Sequence, residues 1–393
     1  MPDAPQVEHQ PRCGSPLGLI IVVLLGFALY YGLNSIQGGT TLPDYDTVIK
    51  NIHGKGELYW FFMNFTEANF FAGFCSSLLI IIGAAIAWGA ALRGSALAGF
   101  EICYGNARIW PWVFASQVLT LSLVMFGFNY MSLFKEDVTW IPTFIAIVNV
   151  PPALTLIYGP GIVSLLTTSV LGALICTPVA VWLSKVFAPW NVPGVVSNVG
   201  AMAIAGTIAA SACQALPWMK KKDIRPITVP IPIHNDTQSA TWLIRRTLAD
   251  FTEPLFYGND LAGFLLLIGV FLDTMLNPGL SVYGGKCIGA IVLSEIIAGS
   301  VGVFLYAGKW KKKGWYATYV PVVSTAPACV LMFGATIPVA LFSAVLGAIL
   351  GAPLAEFFAN KIPDYVPGTV ANVTSMAITT IIVAVTMQIL PWF

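Results

Sequence analysis

The hydrophobic pattern of this chain shows neither the stripe of a soluble amphipathic helix nor the alternation of a half-buried strand. Continuous apolar runs of about 20 residues follow one another, punctuated by Gly, Pro and small clusters of charge. A helix of that length crosses the hydrocarbon core of a bilayer. The runs predict eleven spans, near 16–36, 66–92, 108–130, 139–158, 161–187, 193–217, 252–276, 285–308, 316–335, 336–358 and 367–391. A membrane β-barrel would need alternating segments of about ten residues, and these runs do not alternate. The expected fold class is therefore an all-α polytopic membrane protein.

Basic residues orient the spans. The linker after the sixth span carries Lys220, Lys221, Lys222, Arg225, Arg245 and Arg246, and "KWKKK" follows the eighth at Lys309. Placing both clusters in the cytoplasm puts Arg93, Arg108 and Arg12 there as well, which is the positive-inside pattern. The loop after the first span and the Lys135-Glu136-Asp137 turn then fall outside. The expectation is a multi-pass protein of the plasma (inner) membrane with its N-terminus cytoplasmic and its C-terminus external. The first apolar run, from Leu17 to Leu33, has no small-residue cleavage site after it and reads as a retained helix.

The pattern is also written twice. "NVPGVVSNVGAMAI" at Asn191 is echoed by "YVPGTVANVTSMAI" at Tyr365, and from Val192 to Trp218 roughly half the positions match Val366 to Trp392. Further back, "VLGALICTP" pairs with "VLGAILGAP", "NVPPALTLIYG" with "STAPACVLMFG", Trp140 with Trp315, and the F-T-E at Phe65 with the F-T-E at Phe251. The expected organisation is a cytoplasmic tail (1–15), an extra transmembrane helix (16–36), an external loop (37–64), a first five-helix repeat (65–218), a cytoplasmic linker (219–250) and a second repeat (251–393). Five is odd, so the two copies must insert in opposite senses. Inverted repeats of this kind are frequent in secondary transporters.

Composition agrees with the membrane class. The chain is 57% hydrophobic and 9% charged, where a soluble domain has about a quarter of its residues charged. The net charge of +1 carries no message about partners. Seven cysteines lack metal or disulfide spacing, and His9, His53 and His234 fall in tails and loops. No P-loop, H-E-x-x-H or G-x-S-x-G occurs. An enzyme, an ATP-driven pump, a bound metal and an organic cofactor are not expected; Na⁺ or H⁺ as a coupling ion is. The expected partners are the bilayer and a small solute, with no nucleic acid, and a homodimer is left open.

Polar residues inside apolar runs are the candidate site, because burying them costs free energy unless they are paired or used. Asn198 and Asn372 sit just over a turn inside the last span of each repeat, after Pro193-Gly194 and Pro367-Gly368, which suit a helix start. Each asparagine bonds a neighbouring helix or reaches a solute or ion. Glu67 and Glu253, each after Thr66 or Thr252, open the first span of each repeat as helix-cap elements or as titratable groups. Glu101 and Lys286 lie in matched glycine-rich stretches that could be re-entrant. Glu295 and Asp273 lie within spans, and a pair of Glu101 or Glu295 with Lys286 is a structural alternative. Gln214, Gln388, Asn69, Asn149, Asn259 and Asp260 are weaker candidates. Trp110, Trp112, Trp218, Trp315 and Trp392 read as interfacial belts.

Together these point to a secondary transporter, coupled to H⁺ or Na⁺, for a small polar or ionic solute, with alternating access between the repeats. A passive channel and a non-transporting scaffold subunit are the alternatives. "GNDLAGFLLLIGVFLDTMLNPG", residues 258–279, resembles an N-P-L-S-G-L-like stretch of urea channels, which also have a five-plus-five design. The likeness covers about twenty residues, omits the V-P-G-x-V-x-N-V motif and assigns no residue a role. It implies the passive alternative with a urea-channel-like architecture.

Overall fold

The computed structural model describes residues 13–222 and 236–393; Arg12, Arg225, His9 and His234 lie outside them. The described chain is helical, with one isolated antiparallel bridge between Lys135 and Val138. In order the helices are α1 (Pro16–Ser35), α2 (Tyr45–Lys50), α3 (Lys55–Glu67), α4 (Phe74–Leu92), a single turn α5 (Ile102–Gly105), α6 (Trp110–Ser122), α7 (Val150–Tyr158), α8 (Ile162–Phe187) and α9 (Val195–Ala215). Then come α10 (Ala240–Asp250), α11 (Asp260–Leu276), α12 (Ile288–Lys313), α13 (Thr325–Phe333), α14 (Ile337–Ala359) and α15 (Gly368–Ile389).

Among the described residues eight helices are long and apolar enough to cross a membrane: α1, α4, α6 with its flanking turns, α8, α9, α12, α14 and α15. Local sequence explains their ends. Ser15 caps α1 by accepting from the Gly18 amide at 3.1 Å, with Pro16 in the first turn. Gly314, at φ +75°, stops α12 after its Lys311–Lys313 turn. Their outer faces remain apolar. On α8, Ile162, Leu166, Val170 and Leu174 are all exposed, as a lipid-facing stripe requires.

Four of the predicted spans are broken. The apolar run at 66–92 is interrupted at residues 68–73, and the run at 252–276 holds one 3-10 turn at Glu253–Leu255 and becomes α-helical only at Asp260. The runs at 139–158 and 316–335 each begin with turns, and their helices α7 and α13 cover only nine residues. F-T-E does not open a span in either copy. Thr66 and Glu67 end α3, and Thr252 and Glu253 follow α10. The reason is a hydroxyl that closes a loop: Gly73 N donates to Thr66 Oγ1 at 3.1 Å, and Asn259 N donates to Thr252 Oγ1 at 2.8 Å. Within these loops Phe70 and Phe256 adopt left-handed backbone at φ +60° and +65°. The segments read as external loop and cytoplasmic linker contain α2 and α3, and α10.

Two antiparallel helix pairs join the two halves of the chain. Helix α4 packs along α11, and α9 packs along α15. Glycines allow the first approach: Gly83 faces the Ala262 backbone and Gly269 faces the Ser76 backbone, so a Cβ at either would collide. Asp273, near the end of α11, accepts from the Cys75 and Ser76 amides at 2.7 and 2.9 Å and so caps α4. Asn69 Nδ2 donates to Phe251 O at 2.8 Å, and the Phe71 and Phe251 rings stack, which joins the two F-T-E loops.

Candidate functional site

A chamber of about 70 Å³ lies where those two loops meet α9 and α15. It has room for a few waters or for one solute of a handful of non-hydrogen atoms. A first vestibule of about 760 Å³ is lined by Asp46, Thr139, Asn191, Pro193 and Gly194. A second, of about 450 Å³, is lined by Thr237, Trp242, Lys311 and Lys313. Phe70, Val195, Asn198 and Tyr283 line both the chamber and the first vestibule, whereas Glu253 alone lines both the chamber and the second.

Most of the lining comes in sequence-matched pairs: Glu67 with Glu253, Phe70 with Phe256, Phe144 with Tyr319, Val148 with Val323, Val199 with Val373, and Met202 with Met376. The carboxylates sit in matched settings. Glu67 is 3% exposed, and its Oε1 accepts from Trp140 Nε1 at 2.6 Å and from the Tyr283 hydroxyl at 3.3 Å. Glu253 is 2% exposed and accepts from Trp315 Nε1 at 3.4 Å and the Tyr104 hydroxyl at 2.7 Å. Tyr283 and Tyr104 occupy the two glycine-rich stretches, and both have left-handed backbone, at φ +53° and +57°. That turn aims each phenol at a carboxylate of the other half of the chain.

The two ends differ in charge. Arg246 Nη2 donates to Glu253 Oε1 at 2.5 Å and to Asp250 Oδ1 at 2.6 Å, and its guanidinium lies over the Phe100 and Trp310 rings. The matched positions before Glu67 are Trp60 and Asn64, both neutral. Among the described residues no Lys, Arg or His lies within ion-pair distance of Glu67.

Asn198 and Asn372 do not play equal parts. Asn198 Oδ1 is buried without a hydrogen-bond partner and its residue lines the chamber. Asn372 stands one layer back, where Nδ2 donates to the Tyr319 hydroxyl at 3.1 Å. Pro367 precedes α15 and Gly368 begins it. Glu101 lines the second vestibule and makes no ion pair, and Lys286 is exposed on its turn, so neither Glu101 nor Glu295 pairs with Lys286. Glu295 is fully buried in α12, with no partner for either carboxylate oxygen. Asp273 is occupied at the start of α4. Asn69, Asn149 and Asn259 hold backbone carbonyls, Asp260 pairs with Arg245, and Gln214 and Gln388 are exposed.

Two tryptophans leave the interfacial role. Trp315 hydrogen-bonds Glu253, and Trp110 is buried against Phe114 and Tyr257. Trp218 and Trp392 are exposed. Tyr104, Tyr283, Tyr319 and the Arg246–Asp250 pair are additional site residues; the shared Tyr-Gly at 104–105 and 283–284 was the sequence signal for the first two. No cluster of three metal-ligating side chains occurs among the described residues. The chain matches no model of a known protein family and no curated protein.

Proposed function

We propose that the protein is a secondary transporter, coupled to H⁺ or Na⁺, for a small polar or ionic solute that passes through the chamber between Glu67 and Glu253. In this reading two inverted five-crossing repeats expose the chamber alternately to the two sides of the membrane. The observation that carries it is the chamber itself: most of its lining is paired between the halves, yet it borders the two vestibules unequally. Four residues connect it to the first vestibule and Glu253 alone connects it to the second. Exchanging the packing of the two halves would reverse that bias.

Eleven crossings follow if the 17-residue α11 and the two turn-then-helix segments at 140–158 and 315–333 are added to the eight long helices. Antiparallel packing of α4 on α11 and of α9 on α15 supports the inversion, since a two-fold axis in the membrane plane brings equivalent helices together in opposite directions. Basic residues at the Lys313 vestibule support a cytoplasmic assignment for that end, with the C-terminus external and the plasma (inner) membrane as the location.

A passive channel of urea-channel-like architecture is a second reading, favoured by vestibules of several hundred Å³ at both ends of one chamber. Uptake into proteoliposomes separates the readings. Accumulation above equilibrium that requires an imposed Na⁺ or H⁺ gradient supports transport, equilibration alone supports the channel, and no flux across a broad solute panel leaves a scaffold subunit.

A further inference from the structure

The two ends of the chamber share one scaffold and differ at two charged positions, Arg246 and Asp250 at one end against the neutral Trp60 and Asn64 at the other. At the Glu253 end, Thr318 Oγ1 donates to Asp250 at 3.1 Å, Asp250 binds Arg246, and Arg246 binds Glu253. At the Glu67 end, the matched Thr143 donates to Asn64 Oδ1 at 2.7 Å and accepts from Trp60 Nε1 at 2.9 Å. That neutral chain closes on itself, with Asn64 Nδ2 donating to Trp60 O at 2.6 Å, and does not reach Glu67. Glu253 therefore has a built-in guanidinium, and among the described residues Glu67 has two neutral donors, both on Oε1, and no cationic one. A buried carboxylate without a counter-charge is costly in its ionised form.

We infer that the Glu67 end of the chamber binds a small monovalent cation bearing N–H donors, of the ammonium or guanidinium class, and that this is the solute class of the pathway. Such a solute takes at Glu67 the part that Arg246 takes at Glu253. A second observation points the same way: Asn198, 7% exposed, lines the chamber, and its buried Oδ1 accepts no hydrogen bond among the described residues. Phe70, Phe144 and Phe256 also border it, and aromatic faces attract cations. An anion would meet a carboxylate at each end. A divalent metal ion calls for six to eight oxygen ligands or a cluster of side-chain donors, and no cluster of three occurs among the described residues. The inference rests on the transport reading above.

Three planar solutes of four non-hydrogen atoms each, guanidinium, urea and nitrate, differ mainly in charge and fit the size of the chamber. Flux of each into proteoliposomes of the full chain tests the inference, with methylammonium as a second cation. The expected order is guanidinium and methylammonium at least tenfold faster than urea, with nitrate at the background of protein-free vesicles. In Glu67→Gln the guanidinium rate should fall at least tenfold, towards that of urea, while the gel-filtration profile is kept. Urea carried as fast as guanidinium, or nitrate carried at all, overturns the cation assignment and leaves the transport reading standing. A folded Glu67→Gln protein that keeps the cation preference overturns the role of Glu67. Absence of all four fluxes from folded wild-type protein removes the transport reading for solutes of this size and the inference with it. The wild-type order needs no variant, so the test survives a Glu67→Gln protein that fails to fold.

Discussion

Replacing Arg246 by Leu would leave Asp250 and Glu253 facing each other without their cation. Arg246 is 3% exposed at its side chain and each carboxylate is 1% exposed, so solvent offers no substitute. Removing one partner of a buried ion pair costs about 3–5 kcal/mol. Here two partners are orphaned at once, which puts the expected loss at the upper end of that range. The two acceptor oxygens bind the same nitrogen at 2.6 and 2.5 Å and so lie no more than 5.1 Å apart, the sum of those distances. At an effective dielectric constant of about 20, two like charges at about 5 Å repel by about 3 kcal/mol. Adding Asp250→Asn should therefore return about 3 kcal/mol, a non-additivity read by a double-mutant cycle. Unfolding of the detergent-solubilised protein by added sodium dodecyl sulfate, followed by tryptophan fluorescence, gives the four free energies. An Arg246→Leu protein as stable as wild type, or an Asp250→Asn change that adds its own loss to that of Arg246→Leu, would refute the argument that the triad is bound by charge.

Asn198→Ala should lower solute flux at least tenfold and leave stability within about 0.5 kcal/mol, because its Oδ1 has no protein partner to lose; unchanged flux in folded protein would remove Asn198 from the pathway. Asn372→Ala should instead cost about 1 kcal/mol in the same unfolding assay, the ordinary worth of its bond to Tyr319. Gly73→Ala should destabilise by about 1–3 kcal/mol, since a Cβ there would collide with the Asp273 carboxylate that caps α4; wild-type unfolding would show that the cap is dispensable. Single cysteines at Lys222 and Phe393 should react with an impermeant maleimide from opposite sides of sealed vesicles, and labelling from one side alone would contradict the inverted arrangement.

The long helices were legible because hydropathy reports length and lipid exposure, the two properties that fix a spanning helix. The breaks were hidden, because a hydropathy window cannot see one hydroxyl closing a loop, as Thr66 and Thr252 do. Glu67, Glu253 and Asn198 could be singled out because a polar atom in an apolar run is visible in one dimension. Asp273 looked similar by that measure but is used up on the amides of α4, a partner about 200 residues away. Tyr104 and Tyr283 carried a signal, the shared Tyr-Gly, but their partners lie across the halves: each phenol serves a carboxylate of the other half of the chain, and the linear pattern does not record that pairing. The Arg246–Trp60 contrast was present in the F-T-E alignment, but it gained meaning only when the two ends of one chamber could be compared.

The left-handed rings at the chamber and its second vestibule carry a cost in backbone energy. At Phe70, Tyr104, Phe256 and Tyr283 a glycine would adopt the observed backbone without penalty, whereas a residue with a Cβ gives up about 1–2 kcal/mol. Four such positions together cost the fold about 4–8 kcal/mol of backbone energy, which the packing and hydrogen bonds of their rings offset.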